Sequence, residues 1–204
     1  MMRQFYTGPL YVNTYIVYDS DRKNAFIVDP GGVSPALDSF IEMNKLKVDF
    51  IILTHGHADH IGGVEAYRSK FKAPVYAHKD EKEMLTSPEY NASRGMFGKS
   101  IAFMADKWLN DGDEIPFGDT KLKIIHTPGH SPGGICILVD KWLFSGDTLF
   151  AGSVGRTDFP LCSANSLFES IREKLFVLDD DVEVYPGHEG SSTIGREKRY
   201  NPFF

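Results

Sequence analysis

An α/β fold is what this 204-residue sequence predicts, and three observations carry the prediction. Apolar runs of strand length alternate with stretches of helical periodicity, the pattern of strand–helix–strand units. Several of these runs end in polar, glycine-rich segments instead of plain turns. The second half of the chain repeats that layout without visible sequence identity to the first.

In chain order, Leu10 to Tyr18 (LYVNTYIVY) alternates well enough for a strand, and Ala25 to Val28 makes another, so a hairpin opens the fold. The turn cluster Asp29, Pro30, Gly31, Gly32 follows. Ser34 caps a helix with Pro35 at its first position, Leu37, Phe40 and Ile41 on one face, and an end near Asn44. Val48 to Leu53 is a strand ending in the continuous apolar run Phe50 to Leu53, followed by a helix that His60 opens and that runs to about Phe71, then a strand at Pro74 to Ala77. From Glu81 to Leu109 a short helix and a long excursion are expected, in the manner of a lid. Asp111 to Gly118 reads as turn chemistry before a strand at Leu122 to Ile125. Ile135 to Val139 and Lys141 to Phe144 form a hairpin around Asp140. The loop AGSVGRTDFP, a helix from about Ser166 to Leu175 and a last strand at Val182 to Tyr185 complete the order.

The stretch Thr54 to Gly63, THGHADHIGG, organises the rest. It sets His55, His57, Asp59 and His60 just past a buried strand, at the carboxyl edge where open α/β sheets place ligands. His55 and His57 are two apart, so in an extended segment both imidazoles leave on one side and can grip one metal. Asp59 and His60 follow after the chain turns and suit a second metal. Gly62 and Gly63 allow close packing there. Three histidines interleaved with Asp and glycines are poorly explained as an incidental polar loop.

Three later strand ends carry the remaining candidates: His130 in HTPGHSPGG, Asp147 in SGDTLF and His188 in PGHEG. His55, His57 and His130 can bind one ion, Asp59, His60 and His188 a second, with Asp147 bridging. Imidazole with sparse carboxylate suits zinc, with iron or manganese as alternatives. His126 stays outside a set already full, and His78 in YAHKDE reads as a loop residue beside the site.

Composition narrows the rest. The length fits a single domain spanning 1–204 with a full core. A net charge of -6 argues against nucleic acid. No run spans a bilayer and the start MMRQFYTG lacks a signal-peptide core, so a cytoplasmic protein without membrane contact is expected. Cys136 and Cys162 are too few for a disulfide framework. Oligomeric state is not legible.

A paired site of this kind implies hydrolysis. Two divalent ions about 3.5–4 Å apart can share a water and lower its pKa from 15.7 to about 7, giving a bridging hydroxide. A thioester is a fitting substrate, because a thiolate with a pKa of about 8.5 leaves without a strong general acid. Asp59 can orient the water or shuttle its proton.

THGHADHIGG, TPGHSPGG, SGDTLF and YPGHE, in that order, resemble the metallo-β-lactamase fold superfamily and within it the glyoxalase II group, the hydroxyacylglutathione hydrolases. The tail STIGREKRYNPF resembles that group's closing segment. The resemblance implies a four-layer αββα sandwich, two metal ions and thioester hydrolysis. Full-length members add a C-terminal helical domain that helps hold glutathione, and this sequence stops at Phe204, so a short form is expected. Where that group has Lys and Tyr near glutathione, Arg156 and Asp158 stand here, and Lys198 falls at a basic glutathione contact. Arg156 and Lys198 are therefore the candidate readers of a substrate carboxylate. A mono-iron persulfide dioxygenase, a relative that also carries GRTDF, and another ester or lactone hydrolase remain alternatives.

Overall fold

The computed structural model describes residues 1–204, which fold as two compact units. The first comprises Met1–Ala77 and Lys82–Trp108. Its sheet runs β1 (Met2–Thr7), β2 (Val12–Tyr18), β3 (Asn24–Val28), β4 (Lys47–Ile52), β5 (Val75–His78), β6 (Lys107–Leu109). β1 to β3 pair antiparallel, and β3, β4 and β5 pair parallel. Parallel neighbours need crossovers. Here these are helix α1 (Pro35–Asn44) and the pair α2 (Ala58–Ile61) and α3 (Val64–Phe71). The predicted cap is present: Ser34 Oγ accepts the Leu37 N–H at 3.4 Å. Leu37 and Ile41 of α1 and Val64 and Tyr67 of α3 join the core that includes Ile27, Ile51 and Val75. Each such side chain contributes roughly 1.5–3 kcal/mol on burial. On the alternate positions, Phe26, Phe50 and Tyr76 stack across the three strands at 5.0 and 4.8 Å. Both sets are largely buried, which is why these strands read as unbroken apolar runs.

Three differences from the expected order have local causes. β1 extends the expected hairpin to three strands; as an edge strand with mixed exposure it lacks an alternating signal. The helix after His57 begins at Ala58 rather than at His60 and breaks at Gly62 and Gly63. The 81–109 excursion holds two short helices, α4 (Lys82–Thr86) and α5 (Ser93–Phe97). Buried Asn91 pins it, donating to the carbonyls of Met84 (3.2 Å) and Ile101 (2.8 Å).

His78–Glu81 and Leu109–Phe204 form the second unit. Its elements are β7 (Glu114–Phe117), β8 (Thr120–His126), β9 (Ile135–Val139), β10 (Trp142–Gly146), β11 (Leu149–Phe150), β12 (Ser153–Val154), α6 (Ala164–Ser170), β13 (Glu183–Pro186), β14 (Ser192–Thr193) and α7 (Ile194–Tyr200). The sheet order is β14, β13, β10, β9, β8, β7, with β11 and β12 as a separate hairpin. The hairpin around Asp140 pairs as expected. β7 replaces part of the expected turn, and its Pro116 suits the sheet-edge position it occupies. The expected 166–175 helix is α6, capped by Ser163, followed by one π-helical turn, Ile171–Leu175. Leu167, Ile171 and Leu175 pack with Leu143, Val184 and Ile194. Cys136 is buried in that core, as expected, and burial pushes its thiol up to about 11. No helix is long and apolar enough to cross a membrane.

Candidate metal centre

Parallel pairing of β3 with β4 brings the residues after both strands to one sheet edge. Past β4, His55, His57, Asp59 and His60 are all buried. The His55 ring lies 4.9 Å from that of His57 and 4.1 Å from that of His60. His57 is still extended (φ -66, ψ 148) and occupies the position before α2, its side chain making no capping bond, so Asp59 and His60 sit in the first helical turn. The Asp59 Oδ2 lies 3.9 Å from His60 Nε2. The glycines work as expected, against a partner the expectation did not name. A Cβ on Gly62 would meet the Gly31 carbonyl at 2.4 Å, and one on Gly31 the Asp59 carbonyl at 2.0 Å.

Asp29, at the end of β3, reads in the sequence as part of a turn and is the residue that reading misses. Its carboxylate accepts the Thr54 N–H at 2.7 Å, the Thr54 hydroxyl and His60 Nδ1–H at 2.9 Å. A carboxylate on Nδ1 fixes the tautomer that leaves the lone pair on Nε2, the arrangement found behind metal-binding imidazoles. The available signal was an acidic residue closing a strand whose parallel neighbour ends in histidines. Asp29→Ala is expected to lower metal affinity about 10–100-fold. Metal content after dialysis against a graded chelator checks this.

In the second unit β8 and β10 both run antiparallel to β9, and β13 is parallel to β10, so the three share a carboxyl edge. His130, Asp147 and His188 all lie there. Asp147 Oδ2 is 3.6 Å from His130 Nε2 and 3.9 Å from His188 Nε2. His130 Nδ1–H donates to the Arg156 carbonyl at 2.7 Å, which again leaves Nε2 with the lone pair. Gly155 packs its bare Cα against Asp147: a Cβ would fall 1.8 Å from the Asp147 carbonyl. Buried Glu197 of α7 accepts the Gly152 N–H at 2.7 Å and so buttresses the β11–β12 hairpin.

The remaining candidates occupy other environments. The Arg156 side chain is exposed, forms a two-pronged ion pair with Asp158 (2.7 Å each) and lies over the Phe159 ring. Its guanidinium holds the Asp158 carboxyl down at about 2. Lys198 Nζ donates to the Leu178 carbonyl (2.8 Å) and to Asp180 (2.9 Å). Cys162 donates its S–H to the His130 carbonyl, and burial raises its pKa, the opposite of an activated thiol. His78 ends β5 instead of lying in a loop.

Imidazoles and carboxylates gathered at the carboxyl ends of strands in a mixed α/β fold define a metal-dependent enzyme class. The chain belongs to the metallo-beta-lactamase superfamily, whose family model matches residues 7–188. Among its relatives, the Haemophilus influenzae protein named hydroxyacylglutathione hydrolase GloC is 38% identical over 195 residues, covering 94% of this chain and 92% of its own length. Of solved structures, the BLEG-1 B3 metallo-beta-lactamase matches with a TM-score of 0.93 and 40% identity, over 100% of this chain and 99% of that one. TTHA1623 in a di-iron-bound form matches with a TM-score of 0.87 and 33% identity, over 99% of this chain and 100% of that one. The expected α/β class and glyoxalase II-like kinship are borne out.

Proposed function

We propose that this member of the superfamily is a binuclear metallo-hydrolase that cleaves a thioester of the S-D-lactoylglutathione type. The observation that carries the reading is the Asp147 carboxylate, one oxygen of which lies 3.6 Å from His130 Nε2 and 3.9 Å from His188 Nε2. Two ligand atoms each about 2.1 Å from one tetrahedral ion lie about 3.4 Å apart. Asp147 is thus spaced to share one ion with each imidazole. His55, His57 and His130 would hold the first ion, Asp59, His60 and His188 the second, and Asp147 both.

The donor chemistry fits such ions. His60 and His130 have their tautomers set by Asp29 and by the Arg156 carbonyl, and no thiolate enters the set. Zinc suits these donors, and the di-iron form of TTHA1623 makes iron the second metal to test. When bound, the pair supplies a water acidic enough to ionise near neutral pH. Asp59, 7% exposed, would accept or relay a proton there. A thiolate leaving group needs no strong acid, so the absence of a Lys or Tyr from this donor set costs nothing for a thioester.

We keep Arg156 and Lys198 as readers of a substrate carboxylate, in competition with their present partners Asp158 and Asp180. Arg156→Ala is expected to raise KM for anionic thioesters several-fold with little change in kcat. An unchanged KM across all thioesters tested removes that role.

The deciding experiment combines elemental analysis of the purified protein with hydrolysis of S-D-lactoylglutathione before and after chelation. About two metals per chain and chelator-sensitive cleavage support the proposal. One iron, no cleavage and oxygen uptake with glutathione persulfide would replace it with a dioxygenase. Cleavage of a β-lactam or lactone alone would move the substrate class.

A further inference from the structure

Outside the donor set above, the second unit holds another group of metal-ligating side chains. His78 ends β5, Asp80 follows it two residues on, and His126 ends β8. We propose that His78, Asp80 and His126 form a separate site for one divalent transition-metal ion. Ligand atoms from the three residues lie within 4.8 Å of one another. The site does not depend on the proposed hydrolase activity.

The donors are held ready in different ways. His126 Nε2–H donates to the Pro132 carbonyl at 2.9 Å, so Nδ1 carries the lone pair. A second-sphere carbonyl of this kind is what orients a metal-binding imidazole. The His126 backbone is clamped at both ends: its N–H donates to Asp111 at 2.8 Å, and its carbonyl accepts from Lys174 Nζ at 2.8 Å. His78 Nδ1 and Asp80 Oδ2 are 3.6 Å apart, close to the spacing of two ligands on one ion. That nitrogen accepts the Asp80 N–H at a long 3.3 Å, a bond an incoming ion can displace. His78 is 2% exposed, so its ring is held in place by protein on all sides. The Asp80 carboxylate is about half exposed, which gives an ion a route in.

The alternative is two histidines that merely pack. Their rings lie face to face, 3.9 Å between centroids and 16° from parallel. In that pose the in-plane lone pairs run side by side, so binding must tilt the partly buried His126 ring out of the stack about its Nε2–H bond to the Pro132 carbonyl. The donor types favour zinc, cobalt or nickel over calcium or magnesium, which take oxygen ligands.

The test is zinc content after loading the chelated full chain with excess zinc and desalting, compared between the wild type, His126→Ala and Asp80→Asn. The wild type should retain about one equivalent more than a variant, while apo melting temperature and thioester hydrolysis stay at wild-type values. Loss of an equivalent from either variant supports the site; Asp80→Asn changes a half-exposed side chain and guards against a misfolded histidine variant. Equal zinc content in all three proteins overturns it. A second readout is the imidazole NMR signals: stoichiometric Co2+ added to zinc-loaded Asp80→Asn should leave His78 and His126 sharp, but broaden them in chelated wild type reloaded with only two zinc equivalents. Sharp signals in both are equally fatal.

Discussion

Asp147→Asn is expected to reduce thioester hydrolysis by about 10³-fold or more and to leave the purified protein short of its full metal content. The substitution is nearly isosteric, so the fold should persist with an unchanged apo melting temperature. Its effect is electrostatic. One Asp147 oxygen lies near both His130 Nε2 and His188 Nε2, and a shared anionic donor is what offsets repulsion between two adjacent cations. A neutral amide offers one oxygen and no charge. Charge stabilisation by metal sites is worth several kcal/mol, and 1.36 kcal/mol is tenfold in rate. The measurement is kcat/KM on the thioester together with metal content. Full metal retention and less than tenfold loss of rate would remove Asp147 from the bridging position.

The parts of this molecule that were legible in its sequence are those whose signal is local. His55, His57, Asp59 and His60 fall within six positions after an apolar strand, so their chemistry and their place at a sheet edge can be read together. The α1 cap is equally local, with Ser34 and Pro35 adjacent. What escaped depends on partners far along the chain. Asp29 becomes meaningful only when β3 and β4 pair in parallel and bring Thr54 and His60, 25 and 31 residues away, to its carboxylate. The break between α2 and α3 has the same origin: Gly62 fits against the Gly31 carbonyl, and neither glycine pair announces the other. β1 and β7 lie at sheet edges, where one-sided burial and a proline weaken the alternation that marks inner strands. The ion pairs of Arg156 and Lys198 with Asp158 and Asp180 depend on loop conformation and on the docking of α7, which residue type alone does not specify.

Gly155→Ala is a substitution of one methyl group that should nonetheless disable the centre. The added carbon would stand 1.8 Å from the Asp147 carbonyl oxygen and 3.2 Å from the His130 Cβ. The nearest atom is backbone and cannot rotate away, so either Asp147 or the 155–158 loop must move by an ångström or more. That loop also supplies the Arg156 carbonyl that orients His130, so displacing it disturbs a second donor. Overpacking of this kind costs roughly 1–3 kcal/mol, occasionally more, and a 1 Å misplacement of reacting groups can cost about 10²-fold in rate. The expected result is a lower melting temperature, reduced metal content and at least about a 10²-fold fall in kcat/KM. Gly95→Ala supplies the contrast: Gly95 lies within α5, its added carbon meets nothing within 4 Å, and Ala favours a helix by about 1 kcal/mol. Side-by-side melting curves and rates for the two variants separate a clash at the sheet edge that carries Asp147 and His130 from a general intolerance of glycine replacement. Near-wild-type rate in Gly155→Ala would show that Asp147 and its neighbouring loop can shift without harm.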